Sequence, residues 1–212
     1  MSEKDWETDR IQQQFRFLLE LDKEKEVMRQ TPLHDNSRME DDAEHAWHLA
    51  VMTLVLSEYA NEDIDVLKTV SMVLIHDLVE IYAGDTYAYD EEGKKTQKSR
   101  EAAASEKLFS LLPPDQAKKF KALFEEFDAR ETPEAKFANT MDNIQPTMLN
   151  NASGGTSWVK NGVRLSQILN RNGKTAEGSE TLWNYSYRNF ILPHVEHGEI
   201  KDDLGDGKPP RP

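Results

Sequence analysis

The sequence contains no cysteine among its 212 residues, which excludes a disulfide framework and a thiolate metal site. Basic residues are few, because 26 Lys and Arg residues stand against 39 Asp and Glu residues and give a formal net charge of −13. This charge repels nucleic-acid phosphates and anionic membrane surfaces, so neither nucleic acid nor a membrane is an expected partner.

Long apolar runs are also missing, since no stretch approaches the ~20 residues that a membrane-spanning helix needs. The N-terminal stretch MSEKDWETDR is acidic and polar, unlike a signal or transit peptide, so a cytoplasmic location is expected. The chain has no GxSxG, GxxxxGK[ST], GxGxxG, HExxH or HxxEH motif. The usual signatures of hydrolase elbows, phosphate loops, dinucleotide sites and zinc peptidases are therefore absent.

Hydrophobic periodicity instead indicates one helix after another. Asp42 is the predicted N-cap of the second helix, Asp63 or Asp65 caps the third, and Gly84 ends it. The predicted helices span residues 8–28, 43–59, 66–83, 94–112, 115–129, 132–142, 157–169 and 179–195. No alternation of period two indicates a strand. The sequence thus predicts an all-α protein with a single domain over residues 1–200 and a flexible C-terminal tail over residues 201–212.

One apolar segment, residues 70–81 with the sequence VSMVLIHDLVEI, contains the adjacent pair His76 and Asp77. Burying an imidazole and a carboxylate together is unfavourable by several kcal/mol in order of magnitude unless an ion pair or a metal compensates. The segment contains no Lys or Arg, so a divalent cation is the favoured compensator. Its remaining ligands are predicted to be His45 and Asp142, each of which also lies in an apolar, helix-like stretch.

The ordered set His45, His76-Asp77 and Asp142 resembles the HD superfamily of metal-dependent phosphohydrolases. The surrounding sequences AEHAW, LIHDLVE, AGDT and TPEAKFA resemble the branch with the bacterial 5'-deoxynucleotidases and oxetanocin-like proteins, over roughly residues 10 to 195. The resemblance implies a single-domain HD-type helical bundle with the metal site between core helices. It also implies one divalent ion, and Mn, Co, Fe, Ni, Zn and Mg all suit two imidazoles and two carboxylates.

Acidic side chains after the pair are candidates for catalysis. On a regular helix Glu80 shares a face with His76 and Asp77, so it could handle a proton, although a supporting or surface role is the alternative. The resemblance places Asp85 against the sugar of the substrate, with Thr86 beside it in the same turn. Asp85 could instead be only the residue of the turn that ends the helix.

Phosphate binding is expected from an arginine that precedes the first metal ligand, as the resemblance implies. Arg38 stands at the usual distance, but it could simply be a loop cation that neutralises the adjacent acidic residues. Arg29 is the second candidate, in a position shifted relative to the neighbouring proline.

The predicted function is metal-dependent hydrolysis of (deoxy)ribonucleoside 5'-monophosphates to nucleoside and phosphate. A metal held in this way can polarise a phosphoryl oxygen and lower the pKa of a bound water. Two alternatives stay open: an HD phosphohydrolase that acts on another nucleotide such as a dNTP, and a non-catalytic HD regulatory module. The expected partners are a small-molecule nucleotide and a second copy of the chain in a homodimer.

Overall fold

The structure is a computed structural model that describes residues 3–204, with side chains from residue 8 onward except at position 91. Twelve α-helices and two strands follow one another in the described chain. The helices are α1 Glu3–Leu21, α2 Asp42–Leu56, α3 Val66–Ile75, α4 Glu80–Ala83, α5 Glu91–Phe109, α6 Pro114–Ala129, α7 Pro133–Ala152, α8 Thr156–Lys160, α9 Leu165–Arg171, α10 Thr175–Gly178, α11 Glu180–Ser186 and α12 Leu192–Glu196. The strands are β1 Met28–Pro32 and β2 Met39–Asp41. The all-α prediction is confirmed apart from this small sheet.

The two strands pair antiparallel, with Met28 opposite Asp41 and Pro32 opposite Met39 and an irregularity between them. The prediction that the chain has no strand is therefore wrong. In β1 the side chains alternate between exposed Met28 and Gln30 and buried Arg29 and Thr31. Because the buried positions are polar, hydrophobic periodicity gives no signal for this strand. The first predicted helix consequently ends earlier, at Leu21, and a 3₁₀ turn covers Asp22–Glu26.

Helix α7 is the central element, and it packs against α2, α3, α6 and α10. Its apolar side chains join the first core cluster, where Phe137 and Met141 meet Leu49 of α2 and Met72 of α3. Helix α10 approaches α7 closely, because a Cβ on Gly178 would clash with the Lys136 carbonyl oxygen. A side chain is therefore excluded at this position.

Two further core clusters complete the body. One joins α1, the turn after α3, α5 and the partly buried face of α6, with Phe17 edge-on to Phe120. The other lies in the C-terminal third and contains Trp158, Trp183 and Tyr187. These three aromatic side chains are therefore core residues. Within residues 3–204, no helix is long and apolar enough to cross a membrane.

Several helix ends match the sequence rules and others correct them. Asp65 caps α3, Thr132 caps α7 with Pro133 as its first residue, and Gly84 ends α4 with a φ of +73°. The predicted cap Asp42 is wrong. Asp41 caps α2 instead, in a reciprocal capping box with Glu44, and this frees Asp42 for a buried contact.

The predicted helix over 66–83 is interrupted where the His-Asp pair lies. Helix α3 ends at Ile75, a tight turn covers residues 76–79, and α4 starts at Glu80. Hydrogen bonds from Leu78 N to the Ile75 oxygen (3.2 Å) and from Glu80 N to the Asp77 oxygen (2.8 Å) tighten the chain. The turn keeps Leu78 in the second core cluster while Asp77 and Glu80 face a cleft.

The last predicted helices are also divided, since Gly162, with a φ of +58°, separates α8 from α9. Part of the predicted tail is described: Lys201 N donates to the Val163 oxygen (3.2 Å), and Asp203 accepts from the Ser166 hydroxyl (2.6 Å). Residues 201–204 thus lie against the start of α9. The remainder of that predicted tail, 205–212, lies outside the described residues.

Candidate metal centre

Three of the predicted metal ligands, His45 of α2, His76 after α3 and Asp142 of α7, come together between these elements. One ligand atom from each lies within 4.8 Å of the other two. The Asp142 Oδ1 atom is 3.2 Å from His45 Nε2 and 3.7 Å from His76 Nε2. Ligand atoms of a single divalent ion have this spacing, since each bond to the ion is about 2.0–2.2 Å long.

The tautomer of each histidine is set by a hydrogen bond at Nδ1. His76 Nδ1 donates to the Val73 carbonyl oxygen at 2.9 Å, and His45 Nδ1 donates to Gln145 Oε1 at 3.0 Å. In the neutral imidazoles, the form that ligates a metal, both Nε2 atoms then carry the lone pair and face Asp142. His76 Nε2 is buried between carboxylate oxygens of Asp77 and Asp142 without a well-aligned hydrogen bond to either, which suits an atom that ligates an ion. The donor set therefore fits a divalent metal ion.

Gln145 extends this support to a buried acid. Its Nε2 donates to Glu40 Oε2 at 2.8 Å while its Oε1 accepts from His45, and the side chain of Gln145 is fully buried. No sequence pattern singles out Gln145 or Glu40 as a site residue. A signal is visible afterwards in the spacing, because Gln145 follows Asp142 by three residues and so lies on the same face of α7.

The fourth predicted ligand, Asp77, lies beside the cluster and also pairs with the guanidinium of Arg29. Its Oδ2 atom is 3.0 Å from His76 Nε2 and 3.8 Å from His45 Nε2, and it accepts from Arg29 Nη1 at 2.8 Å. The same Nη1 donates to Asp42 Oδ1 at 2.9 Å. The apolar segment around Asp77 contains no cationic partner for it. The partner comes from β1.

The pKa values reflect this crowding of charges. Burial lowers the pKa of His76, but the carboxylates of Asp77 and Asp142 outweigh burial and raise it to about 10. Burial opposes ionisation of Asp142, yet the adjacent imidazoles of His45 and His76 hold its pKa well below the usual range. Without an ion, the cluster is therefore held together by protonated imidazole against ionised carboxylate.

A cleft of about 130 Å³ opens from the cluster. Six predicted site residues line it: Arg29, Asp77, Glu80, Asp85, Thr86 and Asp142. The two histidines lie behind this wall. The cleft also contains polar and aromatic side chains that the sequence did not single out as site residues, among them Tyr87, Tyr89, Gln97, Asn150 and Arg171.

Glu80 is buried, and its Oε2 atom has no hydrogen-bond partner among the described residues. Burial and the charges of Asp77 and Asp42 raise the pKa of Glu80 well above its usual value. Burial also raises the pKa of Asp85. Glu80 and Asp85 therefore bind a proton more tightly than exposed carboxylates do.

The turn that carries Asp85 and Thr86 is fixed from α5. Arg100 donates to the Thr86 hydroxyl oxygen at 2.6 Å and to the Ala83 carbonyl oxygen. The Thr86 hydroxyl proton remains available for a ligand in the cleft. The turn Gly84-Asp85-Thr86 therefore ends the helix and also contributes Asp85 and Thr86 to the cleft.

The structure does not bring Arg38 into the cleft. Its side chain is 49% exposed and pairs with Glu44, with 2.7 Å between Nη1 and Oε2. Arg171, at the end of α9, lies in the cleft instead, with Nη2 at 3.9 Å from Asp142 Oδ2. No sequence pattern indicates Arg171, because α9 reaches the site only through tertiary packing.

Two imidazoles and a carboxylate, held by three neighbouring elements of a helical bundle, define a metal-binding helical domain. Residues 21–183 match the HD domain family, and the chain belongs to that family.

Solved structures agree with this assignment. The crystal structure of a predicted metal-dependent phosphohydrolase from Magnetospirillum magnetotacticum MS-1 superposes with a TM-score of 0.85 and 41% identity, covering 90% of this chain and 95% of the other. An HD-domain phosphohydrolase from Listeria innocua has a TM-score of 0.54 at 15% identity, which shows a shared fold alone.

Curated relatives share part of the sequence. The 5'-deoxynucleotidase HDDC2 of Bos taurus is 33% identical over 104 residues, 49% of each chain. The human 5'-deoxynucleotidase HDDC2 is 31% identical over 109 residues, 51% of this chain and 52% of that protein. The chain spans about half the length of the curated relatives it matches.

Proposed function

We propose that this protein is a metal-dependent phosphomonoesterase that hydrolyses (deoxy)ribonucleoside 5'-monophosphates to nucleoside and phosphate. The observation that carries the proposal is the cluster of His45, His76 and Asp142 at the wall of a cleft that also holds the buried acid Glu80. The names of the relatives support it, since HDDC2 is called a 5'-deoxynucleotidase and the Magnetospirillum protein a metal-dependent phosphohydrolase.

His45, His76, Asp77 and Asp142 would hold the ion. A divalent ion bound there supplies Lewis-acid polarisation of the phosphoryl group and acidifies water. Imidazole and carboxylate donors suit Mn, Co, Fe, Ni, Zn and Mg, and the cleft leaves one side of the cluster open to substrate. Asp77 keeps its second role, since its Oδ2 atom also accepts from Arg29.

Glu80 is the proton carrier of the proposed reaction. Its raised pKa and its unpaired Oε2 favour a carboxyl that holds a proton and donates it to the leaving 5'-oxygen. Burial beside Asp77 keeps Glu80 protonated. Burial has the same effect on other catalytic acids whose environment disfavours the carboxylate. Turnover then requires Glu80 to regain a proton from water.

Asp85 would contact the sugar, with its carboxyl oxygen accepting from a sugar hydroxyl. Arg100 donates to the Thr86 hydroxyl oxygen and so holds the turn of Asp85 and Thr86 in place. A pocket packed around deoxyribose would leave no room for a 2'-hydroxyl. We therefore propose that 5'-dNMPs are cleaved better than the matching NMPs, with little discrimination among bases.

The test is phosphate release from paired substrates, such as dAMP and AMP, with each of several divalent ions. Asp85→Ala should lower kcat/KM for dAMP, whereas Asp63→Ala, an equal change of charge at an exposed position outside the cleft, should not. Equal kcat/KM values for dAMP and AMP would refute the sugar selectivity. No phosphate release from any 5'-monophosphate, with metal bound, would move the proposal to another nucleotide such as a dNTP.

The cytoplasmic location stays a prediction from composition.

We also propose that the protein forms a homodimer. Exposed apolar side chains recur along α2 and α3, namely Trp47, Val51, Leu54, Val55, Leu67 and Leu74. Apolar patches of this kind mark interaction surfaces, and a second copy offers the same face. Sedimentation equilibrium should show a dimer that Leu54→Glu converts to a monomer; a monomeric wild-type protein would contradict the proposal.

A further inference from the structure

A second group of metal-binding side chains lies at the end of α12, and none of its members lines the cleft. His194 belongs to α12, His197 follows the helix directly, and Glu199 comes two residues later. The Glu199 Oε2 atom is 3.0 Å from His194 Nδ1 and 3.8 Å from His197 Nδ1. In the metal cluster, the Asp142 Oδ1 atom has similar distances to two imidazole nitrogens, 3.2 and 3.7 Å. In both places, two imidazoles thus face one carboxylate oxygen.

The ring of His194 is buried and has an oxygen atom beside each nitrogen. Its Nε2 atom lies 3.1 Å from Asn151 Oδ1, and its Nδ1 atom lies 3.0 Å from Glu199 Oε2. A neutral imidazole has a single N–H, and Asn151 accepts it at Nε2. The Nδ1 atom then faces the carboxylate with a lone pair. This contact becomes favourable when a second ring proton or a metal ion lies between the two atoms.

Two observations favour a metal ion over a proton. His197 brings a second imidazole nitrogen to the same carboxylate oxygen, and a proton on His194 would give that nitrogen no ligand. The chain also has no side chain at position 155, where a Cβ on Gly155 would lie 2.9 Å from His194 Nδ1 and 3.4 Å from Glu199 Cβ. A side chain at this position would therefore enter the space beside the two candidate ligands.

The ring of His197 must turn to complete such a site. Among the described residues, only the cluster at the cleft already has three ligand atoms within 4.8 Å of one another. The side chain of His197 is 71% exposed, and exposed side chains change rotamer within nanoseconds. Because His197 follows His194 by three residues, the two side chains start from neighbouring positions one helical turn apart. A change of rotamer at His197 can therefore close the site.

We propose that His194, His197 and Glu199 bind a further divalent cation, of the borderline class that includes Zn²⁺, Ni²⁺ and Cu²⁺. Two imidazoles and one carboxylate suit these ions better than Mg²⁺ or Ca²⁺, which prefer oxygen ligands. Water completes the coordination, because His197 lies at the surface. The second site is independent of the proposed hydrolysis.

An ion at this place would hold the segment 199–203 to the end of α12. In that segment Ile200 is buried in the third core cluster, and Asp203 accepts from the Ser166 backbone N and hydroxyl at the start of α9. The segment therefore connects α12 with α9. An ion that binds the folded chain in preference to the unfolded chain stabilises the fold by mass action. We therefore expect Zn²⁺ to raise Tm through this site.

The experiment uses the full chain without a histidine tag, because a tag would bind the same ions. Equilibrium dialysis followed by metal analysis gives the Zn²⁺ bound per chain, and thermal unfolding gives Tm with and without Zn²⁺. The variants are His197→Ala and Glu199→Gln, which spare the buried ring of His194. His34→Ala is the matched control, since His34 is an exposed histidine in the loop between β1 and β2. Asp142→Ala isolates the second site from the metal cluster at the cleft.

We expect the wild type to bind one more Zn²⁺ per chain than His197→Ala or Glu199→Gln. Each variant should bind this ion at least about 10- to 100-fold more weakly, because removal of even an outer support of a metal ligand has an effect of that size. His34→Ala should match the wild type. Asp142→Ala should keep the second ion and its rise in Tm, and adding His197→Ala should remove both.

Equal Zn²⁺ binding by the wild type, His197→Ala and Glu199→Gln would overturn the inference, because His194 would then pair with Glu199 through a second ring proton. An equal loss of Zn²⁺ in His34→Ala would also overturn it, because surface histidines would then bind the ion without a defined site. Retention of the second ion by the double variant Asp142→Ala, His197→Ala would place that ion elsewhere on the chain and reject the assignment.

Discussion

Replacing Gln145 by methionine should weaken metal binding without any change to a metal ligand. The substitution keeps the length of the side chain but removes the Oε1 atom that accepts from His45 Nδ1 and the Nε2 atom that donates to Glu40 Oε2. His45 then loses the hydrogen bond that fixes its tautomer and ring orientation. Glu40 loses a hydrogen bond in a buried position.

The magnitude follows from these two losses. Removing an outer hydrogen bond of a ligating histidine typically costs 10- to 100-fold in metal affinity, so a loss of about this size is expected. Each buried polar group left without a partner destabilises the fold by about 1–3 kcal/mol, so Tm should fall as well. A loss of stability alone would therefore not identify the role of Gln145.

The control is Asn139→Leu, on the same helix. Asn139 is buried and donates to the Phe127 and Ala135 carbonyl oxygens at 2.9 Å each, so its replacement also removes buried hydrogen bonds, but without touching the histidines. Metal affinity is measured by competition with a chelator, and stability by thermal unfolding. Both variants should be less stable, and only Gln145→Met should bind the metal more weakly. Equal metal affinity in the two variants would refute the reasoning.

Three other predictions concern protons and packing. Glu80→Gln should retain the ion while turnover falls by roughly 10²-fold or more, the usual worth of a positioned acid or base; near-normal turnover would remove Glu80 from the mechanism. Because the pKa of His76 is about 10 without an ion, binding of a metal at pH 7 must displace its proton. Titration calorimetry in buffers of different ionisation enthalpy should therefore show proton release, and metal affinity should rise with pH. Proton uptake on metal binding would contradict this. Gly178→Ala should lower the free energy of unfolding by about 1–3 kcal/mol, because its Cβ would meet the Lys136 carbonyl oxygen; an unchanged Tm would show that α10 moves away freely.

The metal cluster could be predicted from the sequence because the unfavourable burial of a charged pair is visible within one short segment. A charged pair inside an apolar segment is visible without any structure, and His45 and Asp142 lie in helices whose periodicity is clear. The starts of α3 and α7 could also be predicted, because a single capping side chain, Asp65 or Thr132, determines each of them. These features depend on residues within a few positions of one another.

The support around the cluster could not be predicted, because it depends on long-range packing. Arg29 reaches Asp77 through a strand whose inward side chains are polar, so no hydrophobic pattern reveals it. Arg171 arrives from α9, far along the chain from the ligands. The turn after α3 was missed for a related reason: its i,i+3 hydrogen bonds place Leu78 in the core and Asp77 in the cleft, and a continuous helix satisfies the same apolar pattern.

The most direct test of the account is phosphate release from dAMP by the wild-type protein before chelation, after chelation and after a divalent ion is restored. The account predicts that removal of the metal abolishes phosphate release and that its return restores it, with no restoration in Asp142→Ala. Undiminished phosphate release by the metal-free protein, or full restoration in Asp142→Ala, would contradict the central claim that this cluster is the site of a metal-dependent hydrolysis.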